Sequence, residues 1–169
     1  IKPLLSIILS KKQNHTSDNI VGVKAITVID NRWARPDIKT TQLLPNVIAK
    51  TEANKKNAYE AIFIDAKGYV TEGSSSNIWI LNDKNEVQTR SLDGKILSGI
   101  TRKSISYFAN MNNYKVLEKK FTKEEMYNSK EVFLTSASSF VTPIVKIDNI
   151  KINDCMVGKM AINLNKLYF

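Results

Sequence analysis

The stretch Asp37-Ile38-Lys39-Thr40-Thr41-Gln42-Leu43-Leu44-Pro45-Asn46 joins an extended run to a helix. Upstream, Arg35-Pro36-Asp37-Ile38 reads as extended, because proline disfavours helical backbone at the residue before it. Residues 32–39 together are expected to be extended. Downstream, Pro45 suits a first helical turn, where its fixed φ fits and its missing N–H is not needed. Leu44, Val47, Ile48 and Ala53 fall near helical spacing, which predicts a helix over 43–57. Lys39 at such a junction has a fixed base and a side chain free to enter a cavity. On spacing alone, it is one of 25 lysines and arginines, and most such residues belong in solvent.

The flanking sequence predicts mostly short strands. Leu4 to Leu9 is an apolar run that reads as a buried strand, and Lys11 to Asn19 is a polar linker. Val21 to Ile29 is β-branched and predicts a strand. Glu60–Asp65, Tyr69–Thr71, Asn77–Leu81, Val87–Arg90, Tyr114–Phe121, Val132–Thr135 and Val141–Ile147 follow as strands, with Lys67-Gly68 and Asp83-Lys84-Asn85 as turns. Gly99 opens a helix with Ile105, Phe108, Ala109 and Met111 on its apolar face. Thr122 and Glu125 form a capping box. Val157–Leu167 reads as a terminal helix. Short strands with three or four interspersed helices make an α+β domain with a curved sheet.

Composition narrows the function classes. The 169 residues suffice for one domain with a real core. A formal charge of +9 invites a nucleic-acid or membrane reading, but the basic residues are scattered among 16 acidic ones with no long basic block. Neither partner is expected. A single Cys155 excludes an internal disulfide and fits a reducing, cytoplasmic setting. One histidine, His15, and one cysteine cannot build a typical structural zinc site, so no metal is expected. The apolar run Leu4–Leu9 is too short to span a bilayer.

Four segments carry chemistry. The first is Asp30-Asn31-Arg32-Trp33-Ala34-Arg35-Pro36-Asp37-Ile38-Lys39-Thr40 with Leu43-Leu44-Pro45-Asn46-Val47-Ile48-Ala49-Lys50. The second is Gly68-Tyr69-Val70-Thr71-Glu72-Gly73-Ser74-Ser75-Ser76-Asn77, an acid at a strand end beside hydroxyl residues. The third is Ile96-Leu97-Ser98-Gly99-Ile100-Thr101-Arg102, a glycine before a helix start, whose exposed N–H groups suit a phosphate. The fourth is Thr135-Ser136-Ala137-Ser138-Ser139-Phe140, a bend that can turn backbone N–H groups toward an anion.

Together these segments resemble the fold-type IV pyridoxal-phosphate enzymes, and among them most nearly the D-amino-acid aminotransferases. The resemblance covers residues 20–169. It implies a D-amino-acid aminotransferase-like fold, a curved mixed sheet or pseudo-barrel, with pyridoxal 5'-phosphate as cofactor. It implies that Lys39 forms the Schiff base and that Glu72 meets the pyridine nitrogen. By the same analogy Ser75 and Ser76 lie near the ring or phosphate, Leu97 packs on the ring face, and Ile100, Thr101, Ser136 and Ala137 hold the phosphate. Three departures stand out: Ser98 where a proline or glycine-like residue is expected, Ala137 where a threonine is usual, and Phe140 where an acid is usual. Family members carry a smaller N-terminal domain, so residues 1–19 are expected to be its end plus a linker, and 20–169 the cofactor-binding domain.

The implied reaction moves an amino group between a D-amino acid and a 2-oxo acid in a homodimer. Asp37-Ile38-Lys39 with Thr71-Glu72-Gly73-Ser74-Ser75-Ser76-Asn77 favours this group over branched-chain aminotransferases and aminodeoxychorismate lyases of the same fold. A non-catalytic remnant of such an enzyme is the other reading.

Overall fold

The computed structural model describes residues 4–9 and 20–168. Among the described residues nine strands form one mixed sheet: β1 (Val23–Ile29), β2 (Glu60–Ile64), β3 (Val70–Gly73), β4 (Asn77–Leu81), β5 (Val87–Thr89), β6 (Val116–Glu118), β7 (Glu131–Ser136), β8 (Phe140–Ile147) and β9 (Ile150–Lys151). Four helices accompany them: α1 (Leu44–Lys55), α2 (Ile100–Met111), α3 (Lys123–Tyr127) and α4 (Lys159–Tyr168). Strand order is β3-β2-β1-β8-β7-β4-β5-β6, with β9 on β8.

Chain connections explain which pairs are parallel. Parallel neighbours need a crossover, usually a helix. Helix α1 links parallel β1 and β2, and α2 links parallel β5 and β6. Adjacent β7 and β8 are instead antiparallel, as a short connection requires. The sheet curls until its ends approach. Val70 N–H donates to the Phe121 carbonyl at 3.0 Å, Lys123 N–H to the Gly68 carbonyl at 3.0 Å, and Tyr69 bridges Thr122. The curved mixed sheet expected from the sequence is therefore the observed one, curled into a half-barrel.

Alternation along the strands sorts side chains into three cores. Inside the curl, Ile78 and Ile80 of β4 meet Val132 and Leu134 of β7, together with Ile62, Val70, Phe121 and Ile144. Trp79, Leu81 and Phe133 point the other way, under Ile105 and Ala109 of α2 and Ala161 and Leu164 of α4. The Trp79 and Phe133 rings stack at 5.8 Å between centroids. Ile26, Ala61 and Phe63 lie beneath Ala49 and Ala53 of α1. Strands with helices on one face and the curl on the other are buried on both sides, hence their nearly unbroken apolar runs.

Several local expectations change. Leu4–Leu9 is not a buried strand: these residues have no regular structure, and all five apolar side chains are exposed. An apolar run becomes a strand only where a sheet edge pairs its backbone, and no described strand does so. Residues 32–39 are not extended. Arg35–Ile38 closes a turn, with Ile38 N–H donating to the Arg35 carbonyl at 3.1 Å. Proline also suits the second position of a turn, and that preference wins here. Helix α1 buries Ala49 and Ala53 and leaves Leu44, Val47 and Ile48 exposed. Small side chains let the helix axis approach the sheet closely. Met111 of α2 is exposed as well. The linker Lys11–Asn19 lies outside the described residues.

Candidate active site

An open cavity of about 1050 Å³ lies where the β1–α1 loop, the end of β3, the start of α2 and the β7–β8 bend converge. Lys39, Glu72, Ser75, Ser76, Leu97, Ile100, Thr101, Ser136 and Ala137 all line it. Thus the structure brings the nine sequence-predicted residues, from four separate segments, around one space. Lys39 is exposed within it and has no hydrogen-bond or ion-pair partner among the described residues. Its loop is fixed at the far end, where Asn46 Nδ2 in the first turn of α1 donates to the Ser74 carbonyl at 2.8 Å. That bond ties the lysine-bearing segment to the turn after Glu72.

Glu72 is 6% exposed. Its Oε2 accepts from Leu97 N–H at 3.0 Å and Asn77 Nδ2 at 3.2 Å, and its Oε1 accepts from Arg32 Nη1. Burial pushes the Glu72 carboxyl up to about 7, against the pull of Arg32 and the Leu97 N–H. The Arg32 side chain is buried too, and Asp30 grips it through Nε at 2.9 Å and Nη2 at 2.8 Å. Burial opposes the Arg32 charge, but Asp30 and Glu72 outweigh it and raise its pKa. Burial likewise opposes the Asp30 charge, and the Arg32 and Thr71 contacts more than offset it, lowering its pKa.

The Ser74–Ser76 turn is built on a second buried carboxylate. Glu60 accepts from the Ser74 hydroxyl, Ser74 N–H at 3.2 Å, Ser76 Oγ at 2.8 Å and Ala61 N–H at 2.9 Å. The Ser76 hydroxyl proton is therefore committed to Glu60 rather than to the cavity. Ser75 Oγ reaches Glu60 only at 3.5 Å and stays exposed.

Helix α2 begins at the cavity without a side-chain cap. Its first N–H groups have no partner within the helix, and its dipole is positive at this end. Thr101 sits in that first turn, 1% exposed, with its hydroxyl buried and unpartnered. A buried hydroxyl without a partner is costly unless something else fills its bonding site. Gly99 before the helix is constrained sterically: a Cβ there would overlap Asn77 Oδ1. Arg102 follows Thr101, buried, bonded to the Arg90 carbonyl at 3.0 Å and paired with Glu118 at 3.0 Å. Across the cavity the β7–β8 bend is internally braced, with Ser139 N–H donating to Ser136 Oγ at 3.0 Å. Taken together, the cavity offers an accessible amine, a buried carboxylate and a helix N-terminus without a side-chain cap. No group of three potential metal ligands exists among the described residues.

Sequence reasoning missed Arg32, Asn77 and Glu60. A signal existed for two of them. Glu60 opens an apolar strand, where a charge implies a buried partner, and Arg32 follows Asp30 at a spacing that permits a fork contact.

The comparisons with known proteins agree with this geometry. The solved structure of a branched-chain amino acid aminotransferase of T.th., complexed with N-(5'-phosphopyridoxyl)-L-glutamate, superposes with a TM-score of 0.79 at 31% identity, covering 87% of this chain and 50% of that one. A fold IV-transaminase of Curtobacterium pusillum superposes at 0.80 with 21% identity, over 92% of this chain and 56% of that one, a likeness of fold alone. Residues 3–147 match the family described as amino-transferase class IV, and the chain belongs to that family. Among curated relatives, the D-alanine aminotransferase of Staphylococcus haemolyticus is 39% identical over 98% of this chain and 58% of that protein. That of Bacillus licheniformis is 41% identical over 85% of this chain and 50% of that protein. The chain spans about half the length of the curated relatives it matches.

Proposed function

We propose that this chain is the cofactor-holding part of a pyridoxal-phosphate-dependent transaminase that moves an amino group between a D-amino acid and a 2-oxo acid. Residues 20–169 would be the cofactor-binding domain, and 1–19 the end of a smaller domain and the linker from it. The observation that carries the reading is the cavity itself. One space is lined by Lys39, by the buried Glu72 and by Thr101, whose buried hydroxyl has no partner, at a helix N-terminus. Those residues fit the cofactor: an anion would complete Thr101 and the first turn of α2, and a protonated ring nitrogen would complement Glu72.

When bound, pyridoxal phosphate supplies an aldehyde for an amine and an electron sink for the substrate's α-carbon. Ile100, Thr101, Ser136 and Ala137 would hold the phosphate, with Ala137 contributing only backbone. Leu97 would pack on the ring, and Ser75 and Ser76 would border it. The Lys39 Nζ amine would bond to that aldehyde and, once displaced by the substrate's amine, take the proton from the substrate's α-carbon and return a proton during transfer. The names of the curated relatives support D-alanine as a donor. They also support assigning the chain to D-amino-acid metabolism. A cytoplasmic homodimer is the assembly we infer, and the exposed Leu44, Val47 and Ile48 on α1 suit a covered surface.

A second reading, a branched-chain aminotransferase, is favoured by solved structures that superpose at 31% identity. A donor panel separates the two. The first reading predicts amino transfer from D-alanine to 2-oxoglutarate with a D-configured product on chiral analysis. L-leucine as donor with an L-configured product would replace it with the second. No transfer from any donor, by a colourless protein at saturating pyridoxal phosphate, would refute both.

A further inference from the structure

Arg32 is far more constrained than a solvent arginine. Its side chain is 4% exposed, and its guanidinium lies 4.6 Å above the Phe63 ring. The Nε and Nη2 edge grips Asp30, and Nη2 also reaches Thr71 Oγ1 at 3.3 Å and the Lys95 carbonyl at 3.3 Å. With that edge occupied, the remaining nitrogen, Nη1, faces Glu72 Oε1. Asp30 is itself held by the Thr71 hydroxyl at 2.7 Å. The order Asp30–Arg32–Glu72 therefore alternates charge from the end of β1 into the cavity.

The acceptor count at Glu72 gives this chain of charges a purpose. A carboxylate offers about four acceptor sites. Leu97 N–H and Asn77 Nδ2 occupy both on Oε2, and Arg32 occupies one on Oε1. One acceptor site on Oε1 remains, and Glu72 lines the cavity. We propose that Arg32, clamped by Asp30, is a positioning residue that orients the Glu72 carboxylate and sustains its negative charge, leaving that Oε1 site for an N–H donor in the cavity. The identity of the donor, the cofactor's ring nitrogen, rests on the function proposed above; the role of Arg32 does not.

Burial drives Glu72 toward its neutral form, and Arg32 is the nearest opposing charge. An adjacent opposite charge lowers a carboxyl pKa by about 1–3 units, so removing it raises the midpoint by about that much. A lysine would keep the charge but cannot fork between two carboxylates. The test is a 13C NMR titration of glutamate side-chain carboxyls in the full chain without cofactor, with Glu72→Gln identifying the signal. Arg32→Gln is expected to raise the Glu72 midpoint by about 1–3 pH units, and Arg32→Lys to raise it less. Asp30→Asn with Arg32→Gln removes both buried charges and is the variant read should Arg32→Gln alone not fold. A smaller upward movement is expected there, because Asp30 itself raises the Glu72 carboxyl. A Glu72 midpoint unmoved in these variants overturns the proposal. Because no cofactor is present, a failed cofactor reading leaves this titration decisive, and a bound cofactor does not rescue an unmoved midpoint.

Discussion

Gly99→Ala is the perturbation that most sharply links packing to the site. The backbone at Gly99 is extended, φ −65° and ψ 142°, so alanine meets no backbone strain. Its cost is steric, because the added Cβ would overlap Asn77 Oδ1. Asn77 is buried and cannot swing into solvent, and its Nδ2 donates to Glu72 Oε2 at 3.2 Å and to the Leu97 carbonyl at 3.0 Å. Moving it loosens both bonds. One neutral bond is worth about 1 kcal/mol, and one to a charged acceptor about 1.5–3 kcal/mol. The expected loss is therefore about 2–4 kcal/mol of stability by urea denaturation. Pyridoxal phosphate affinity should fall by at least about tenfold, since about 1.4 kcal/mol corresponds to that factor. The cycle with Asn77→Ala isolates the cause. With Asn77 already truncated, Gly99→Ala should cost little further, a coupling of the size seen between touching residues. Full stability and full cofactor affinity in Gly99→Ala, or strict additivity with Asn77→Ala, would refute the reasoning.

Two single groups give further predictions. Thr101→Val replaces a buried, unpartnered hydroxyl with an isosteric methyl. The chain without cofactor should lose no stability in thermal melts, while affinity for pyridoxal phosphate falls by about tenfold to a hundredfold, the loss of a charge-assisted bond. Glu72 predicts a pH dependence with a definite sign. Its carboxyl rises from 4.5 to about 7 on folding, so the folded chain retains the proton longer. Its contribution to stability therefore falls as pH rises from about 4.5 to 7, by roughly 3 kcal/mol in all. Glu72→Gln should gain on the wild type by that amount across the window, measured by denaturation of the cofactor-free chain at each pH.

Much of the strand pattern was legible because β4 and β7 must satisfy two cores, which forces unbroken apolar runs such as Ile78-Trp79-Ile80-Leu81. Thr122 and Glu125 were legible for a local reason: a capping box closes over four residues, and both of its bonds are present. The face of α1 was not. Alanines carry little weight in a hydrophobic pattern, yet Ala49 and Ala53 are what the sheet accepts at close approach. Leu4–Leu9 had the composition of a strand, but composition does not specify a pairing edge. At the site, Lys39, Glu72 and Thr101 stood out through their motifs. Arg32 did not, because its role depends on Glu72, 40 residues away, and only the strand order β3-β2-β1 brings the two together.

Borohydride reduction of the full chain saturated with pyridoxal phosphate, followed by peptide mass spectrometry, tests the central claim most directly. The account predicts one stoichiometric phosphopyridoxyl group on Lys39, lost in Lys39→Arg. Label spread over surface lysines, or fixed at another cavity residue such as Lys50 with Lys39 unmodified, would contradict it.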